Sequence, residues 1–66
     1  MTVARVTEII ASSHEGFREA VEEGLARAAR TLRGITGIEV TSKRVKVERG
    51  QIVEYRVEMK IIFLLE

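Results

Sequence analysis

Ser12, Ser13 and His14 are adjacent in the chain, and a hydroxyl beside an imidazole is the pair from which nucleophilic catalysis is built. The same serines stand just before an amphipathic run, however. Ser12 with Glu15 three residues on fits a capping box, and Ser13 is an equally good N-cap. That use needs no catalytic partner and predicts His14 in the first helical turn, exposed. Glu15, Glu19, Glu22 and Glu23 are carboxylates of the kind that bind Ca²⁺, but at helical spacing they make a solvated face, and an ion site would need several subunits to converge. Gly34 and Gly37 precede a strand rather than a helix, so they do not form a phosphate loop. With one His, no Cys and no CxxC or HExxH spacing, no structural metal is expected. No constellation supports catalysis, and the expectation is a protein that is not an enzyme.

The remaining chemistry is cationic. "SKRVKVER", residues 42–49, brings together Lys43, Arg44 and Lys46, with Lys43 and Lys46 read as one register and Arg44 between them. A basic strand edge that discourages sheet-to-sheet aggregation is one use of such a run. A contact with a phosphorylated ligand is the other.

Eleven basic against ten acidic residues give a net charge of +1, and aromatic residues are scarce, with Tyr55 the one candidate for base stacking. The field and the platforms of a nucleic-acid binder are therefore missing. The longest apolar run, "IIFLL", is far too short to span a bilayer, and "MTVARVTEII" does not read as a signal peptide, so no membrane partner is expected and the cytoplasm is the expected location. The 66 residues, 1–66, read as a single domain near the lower limit at which one core holds a chain folded. Without disulfide or metal, oligomerisation is the remaining support.

The elements follow from periodicity. From Thr2 to Ala11 the β-branched content is high and unbroken, which predicts a strand. Phe17, Ala20, Val21, Gly24, Leu25, Ala28 and Leu32 then form one helical stripe, with glutamates early and Arg27, Arg30 and Arg33 late, and with Gly34 placed as the left-handed C′ residue. A second strand runs from about Ile35 to Glu48. Its apolar positions switch from even (Ile38, Val40) to odd (Val45, Val47), which requires a bulge or bend within residues 41–44. "ERGQ" is a hairpin turn, and Val53, Tyr55, Val57, Met59, Ile61, Phe63 and Leu65 alternate through the last strand. The order β-α-β-β gives an α+β fold: a three-stranded antiparallel sheet, the last strand in the middle, curled around one helix. One helix covers one face. Ile62 and Leu64, on the other parity, need cover from elsewhere, and a second strand of about 14 residues would span roughly 45 Å, so it must curl or extend into a neighbour.

With these pieces in place, the strand, the helix "SSHEGFREAVEEGLARAARTLRG", "IEV", the long hairpin and the closing "EYRVEMKIIFLLE" together resemble the dodecins over essentially the whole chain. The resemblance implies a homododecamer, a hollow cage of cubic symmetry that binds and stores a small aromatic ligand such as riboflavin or FMN between subunits. It also implies where ligand contacts fall: Gly37, Ile38, Arg44 and Arg56. In flavin-binding dodecins a stacking tryptophan occupies the position matching Gly37, and a glutamine that hydrogen-bonds the ring occupies the position matching Arg56. Both are replaced here. Two readings of Gly37 follow: a glycine tolerated at a bulge or close backbone approach, or a site changed toward a bulkier or more anionic guest held by Arg56. The rival to a flavin-type binder is a hollow shell that has lost flavin, or that holds another anion or a metal ion.

Overall fold

The computed structural model describes residues 2–65, so Met1 and Glu66, the ends of the expected 1–66 domain, lie outside the described residues. Strand β1 (Val3–Ser13) leads to helix α1 (Phe17–Ala28), then β2 (Ile35–Glu48) and β3 (Gln51–Leu65). The three strands form one antiparallel sheet in the order β1-β3-β2. The element order and the central place of β3 are those the periodicity requires.

The hairpin turn closes at Glu48 opposite Gln51, and both central residues, Arg49 (φ 54°) and Gly50 (φ 76°), have the positive φ that matches the right-handed twist of the flanking strands. β2 and β3 are not in simple register. Thr36 and Thr41 are extra residues on β2, and Val53 is extra on β3. At each irregularity a side-chain donor meets a carbonyl of β3: the Thr36 hydroxyl donates to Ile62 (3.5 Å), the Thr41 hydroxyl to Glu58 (3.2 Å), and His14 Nδ1–H to Val53 (2.9 Å). The bulge at Thr41 accounts for the change of apolar phase. Before it, Ile38 and Val40 stand opposite Ile61 and Met59; after it, Lys43 and Val45 stand opposite Val57 and Tyr55, all on the helix side.

That side holds the core. Val57, Met59, Ile61 and Phe63 of β3 are buried beneath Ala20 and Ala28 of the helix, with Ile9, Ala11, Phe17, Val21, Leu32, Ile35 and Ile38 packed around them. The helix approaches closely because its buried line is small: Ala20, Gly24, Ala28, one residue per turn. A Cβ at Gly24 would stand 2.9 Å from Met59 Cε and 3.2 Å from Ile9 Cδ1. Leu25, expected in the apolar stripe, instead lies toward the flank, exposed.

Both helix ends differ from expectation. Ser12 and Ser13 remain in β1, paired with Arg56 and Tyr55, because the main-chain ladder to β3 runs two residues beyond Ala11. Ser13 Oγ accepts the Glu15 N–H (3.0 Å) in a local turn, and Gly16, with no side-chain cap, begins the helix. His14 is therefore in the connecting bend, exposed as expected, but bonded to the base of the hairpin rather than placed in a helical turn. At the other end the regular helix stops at Ala28 and tightens, with Arg30 and Thr31 N–H donating to Arg27 and Ala28 carbonyls (both 3.2 Å). Leu32 still reaches the core from that tightened turn.

Gly34 has the left-handed φ (73°) read from the sequence, and a second constraint besides. Its carbonyl accepts the Leu64 N–H (3.0 Å), and a Cβ there would stand 3.2 Å from the Leu64 carbonyl oxygen. Gly37 has neither constraint: its φ is not positive, and a Cβ would touch Ile62 Cδ1 at an ordinary 3.7 Å. Gly34→Ala should cost about 1–3 kcal/mol in denaturant unfolding. Gly37→Ala should be neutral or stabilise by a few tenths of a kcal/mol to about 1 kcal/mol, since a strand glycine is entropically costly. Equal destabilisation by the two would show that Gly37 is structurally required.

Candidate functional site

The sheet face away from the helix collects the side chains with no role in the core. Pairing register lays them out in rows across β1, β3 and β2. At one end Ala4 and Leu64 are followed by Val6, Ile62 and Gly37; then come Glu8, Lys60 and Glu39, then Ile10, Glu58 and Ser42, then Ser12, Arg56 and Arg44, and last Glu54 with Lys46. The first two rows are apolar. Val6 is 50% exposed and Leu64 38%, with Ile62 half-buried between them, and Gly37 leaves the β2 side of that row without a side chain. Ile10, 63% exposed, is a second apolar group in the midst of charges.

The four ligand residues expected from the sequence are divided by this layout. Arg44 and Arg56 are brought together as direct cross-strand partners. Gly37 lies on the same face but opposite Ile62, six residues along β3 from Arg56, about 20 Å at roughly 3.3 Å per residue. Ile38 faces the other way, against Ile61 and the core. A site using both Gly37 and Arg56 must therefore draw them from different chains.

The basic cluster also divides. With the bulge at Thr41 already passed, residues 43–46 alternate regularly, so Lys43 and Lys46 do not share a register: Arg44 and Lys46 are on the outer face and Lys43 is on the helix side. There the Lys43 ammonium lies 5.5 Å from the centroid of Phe17, which in turn meets Tyr55 edge-to-face at 5.2 Å. Val6 and Ile10 are not among the sequence candidates, and Ser12 is read there as a cap rather than as part of this face. Their parity within β1 shows only that they share a face; the register against β3 shows that it is the uncovered one.

Among the described residues, no three His, Asp or Glu side chains are grouped so as to hold a metal ion within one chain, and no helix is long and apolar enough to cross a membrane.

The family profile of the dodecins matches residues 3–66. This chain belongs to the dodecin family. It is 34% identical over 64 residues to a Thermus thermophilus dodecin, covering 97% of this chain and 93% of that one. The solved dodecin of Streptomyces coelicolor superposes with a TM-score of 0.93 at 38% identity, covering 98% of this chain and 93% of that one. A calcium-chelating antigen of Mycobacterium tuberculosis, a calcium dodecin with a calcium-binding site, matches with a TM-score of 0.82 at 26% identity over 97% and 91% of the two chains. The β-α-β-β architecture is thus the dodecin fold, and dodecins are ligand-binding rather than catalytic proteins that self-associate.

Self-association gives the apolar rows a use. Ile62→Lys or Leu64→Lys would carry an unpaired charge into a desolvated contact, at a cost of roughly several kcal/mol per ion. Either variant should elute from gel filtration as a smaller species than the unaltered protein. Full-sized particles from both would show that these side chains lie outside the subunit contacts.

Proposed function

We propose that the protein is a cytoplasmic, flavin-type small-ligand binding and storage protein, a homododecameric shell whose hold on riboflavin or FMN is weak because the stacking platform is missing. The observation that carries this reading is Gly37. Glycine is required there by neither φ nor space, since a Cβ would meet only Ile62 Cδ1 at 3.7 Å. The bulge at Thr36 lies beside it, yet the geometry leaves room for a side chain. The absence of one opens space over an exposed apolar row at the position where the resemblance implies an aromatic ring.

The division of Gly37 from Arg56 by about 20 Å supports a ligand held between subunits. Assembly then completes the site as well as the core. Light scattering should give a mass about twelve times the 7.4 kDa of the chain. A discrete particle of another size would refute the dodecamer while leaving the ligand test intact.

Stacking on one aromatic side chain contributes about 1–3 kcal/mol, so loss of two symmetry-related platforms weakens flavin binding by on the order of 10 to 10⁴-fold. Gly37→Trp with Arg56→Gln should recover that factor, read as quenching of riboflavin fluorescence during titration. If the unaltered protein quenches as strongly as the double variant, Gly37 is no defect. If neither quenches, the rival reading of a shell without flavin, or one holding another anion or a metal ion, takes its place.

A further inference from the structure

The two free edges of the sheet are unlike. β2 is interrupted by bulges at Thr36 and Thr41 and carries Lys43 and Lys46, features that keep an edge from pairing with another chain. β1 has none of these protections: its register against β3 is unbroken from Val3 to Ser13, and it contains neither Lys nor Pro. Alternate residues of such an edge turn their N–H and C=O groups away from the sheet and leave them unpaired.

Beside that edge lies a groove of about 540 Å³, running between β1 and the helix, with Thr7 to Ser12 along one wall and Glu23 to Leu32 along the other. Ile9, Ala11, Gly24 and Ala28 make its floor small or apolar. Five residue steps of β1 give it a length of about 17 Å. Glu23 and Arg27 stand on its rim one helical turn apart, both exposed, yet no ion pair joins them among the described residues.

The same chain carries an arm of matching size. Beyond Tyr55, the last β3 residue paired with β1, the hairpin runs about 13 Å farther to Gln51 and turns at Arg49 and Gly50. Val45 and Val47, with Ile52 opposite Val47, form an exposed apolar strip on its helix side, past the end of the helix. Glu48 and Arg49 at the tip supply one charge of each sign, as the rim of the groove does. We infer that the hairpin arm of one copy seats in the α1–β1 groove of the next, Val47 and Ile52 on the apolar floor and the tip charges against Glu23 and Arg27. A second β1 laid antiparallel along the edge would satisfy its backbone but leave the arm bare. Arm and groove are different surfaces, so the contact is head-to-tail and closes into a ring about a rotation axis. In the proposed dodecamer that axis is a three-fold, because a two-fold gives only isologous contacts. The contact deepens the proposed shell and rests on self-association alone, with no ligand involved.

Complementation between variants tests the contact. Val47→Lys/Ile52→Lys spoils the arm and keeps the groove, whereas Thr31→Trp fills the groove from an exposed position and keeps the arm. Each alone lacks half of every arm–groove contact and should give a smaller mass than the unaltered protein in light scattering. Mixed in equal amounts they retain one intact pairing, so native mass spectrometry should show a complex containing both chains and larger than either variant forms alone. A full-sized particle from either variant alone, or a mixture no larger than its components, would overturn the contact. Cross-linking keeps the test independent of how well those variants fold. The chain has no Cys, and Gly24 of the helix sits over Met59, about 26 Å along β3 from Gln51, so Arg27→Cys/Gln51→Cys cannot be bridged within one chain by a short bismaleimide. The assembled double variant should instead give covalent multimers ending at a closed trimer on a denaturing gel. Only monomer from the assembled double variant, or dimers from Arg27→Cys alone, would overturn the arm–groove contact. A series closing at another number would uphold that contact and end the dodecamer.

Discussion

The structure depends on a mismatch of cover. A single helix of 12 residues lies against a sheet whose two longest strands have 14 and 15, and the molecule extends 52 × 20 × 13 Å. The helix packs mainly on β1 and β3, so the helix side of β2 is left half-covered, with Val40 and Val45 still exposed. The opposite face has no cover from the described residues. The hairpin runs past the last β1 pair, Ser13 with Tyr55, and at its end Val47 stands opposite Ile52, both exposed. A two-stranded ribbon of that kind is marginal in water on its own. Each of these features is costly for a monomer and ordinary for a subunit.

Within the covered half, packing is obtained by close approach rather than by bulk. Ala20, Gly24 and Ala28 let the helix axis come down onto Met59 and Ile61, so that even the small buried set excludes water around the middle strand. The glycines of the chain thus serve unlike ends. Gly24 admits a neighbouring side chain, Gly34 adopts a left-handed turn pressed against the Leu64 backbone, and Gly37 does neither. A position on the uncovered face where nothing demands glycine is where, on the proposed reading, a change of ligand would be recorded.

Much of this was legible in the sequence because it is local. Alternation in β3 gives its buried face, the change of phase between Val40 and Val45 gives the bulge, and Gly34 gives the left-handed turn into β2, though the helix itself already ends at Ala28. The N-terminal cap was not legible, because Ser12 and Ser13 satisfy it on local grounds while their actual partners, Arg56 and Tyr55, are more than forty residues away. Chain-wide pairing decided between two locally valid uses. The same holds for the candidate site. Arg44 and Arg56 were each visible as cations, but only the β2–β3 register makes them neighbours, and only that register separates Gly37 from both. Ile38, adjacent to Gly37 in sequence, is on the other face because successive strand residues alternate.

We propose that folding and assembly are one process, the uncovered sheet face being completed by other copies of the chain. Thermal unfolding followed by circular dichroism over a hundredfold range of protein concentration tests it most directly, because a state stabilised by association melts at a temperature that rises with concentration. A steady rise of the midpoint is expected, with no folded monomer at the lowest concentration. A midpoint independent of concentration, with a folded monomer in sedimentation at the same dilutions, would contradict it.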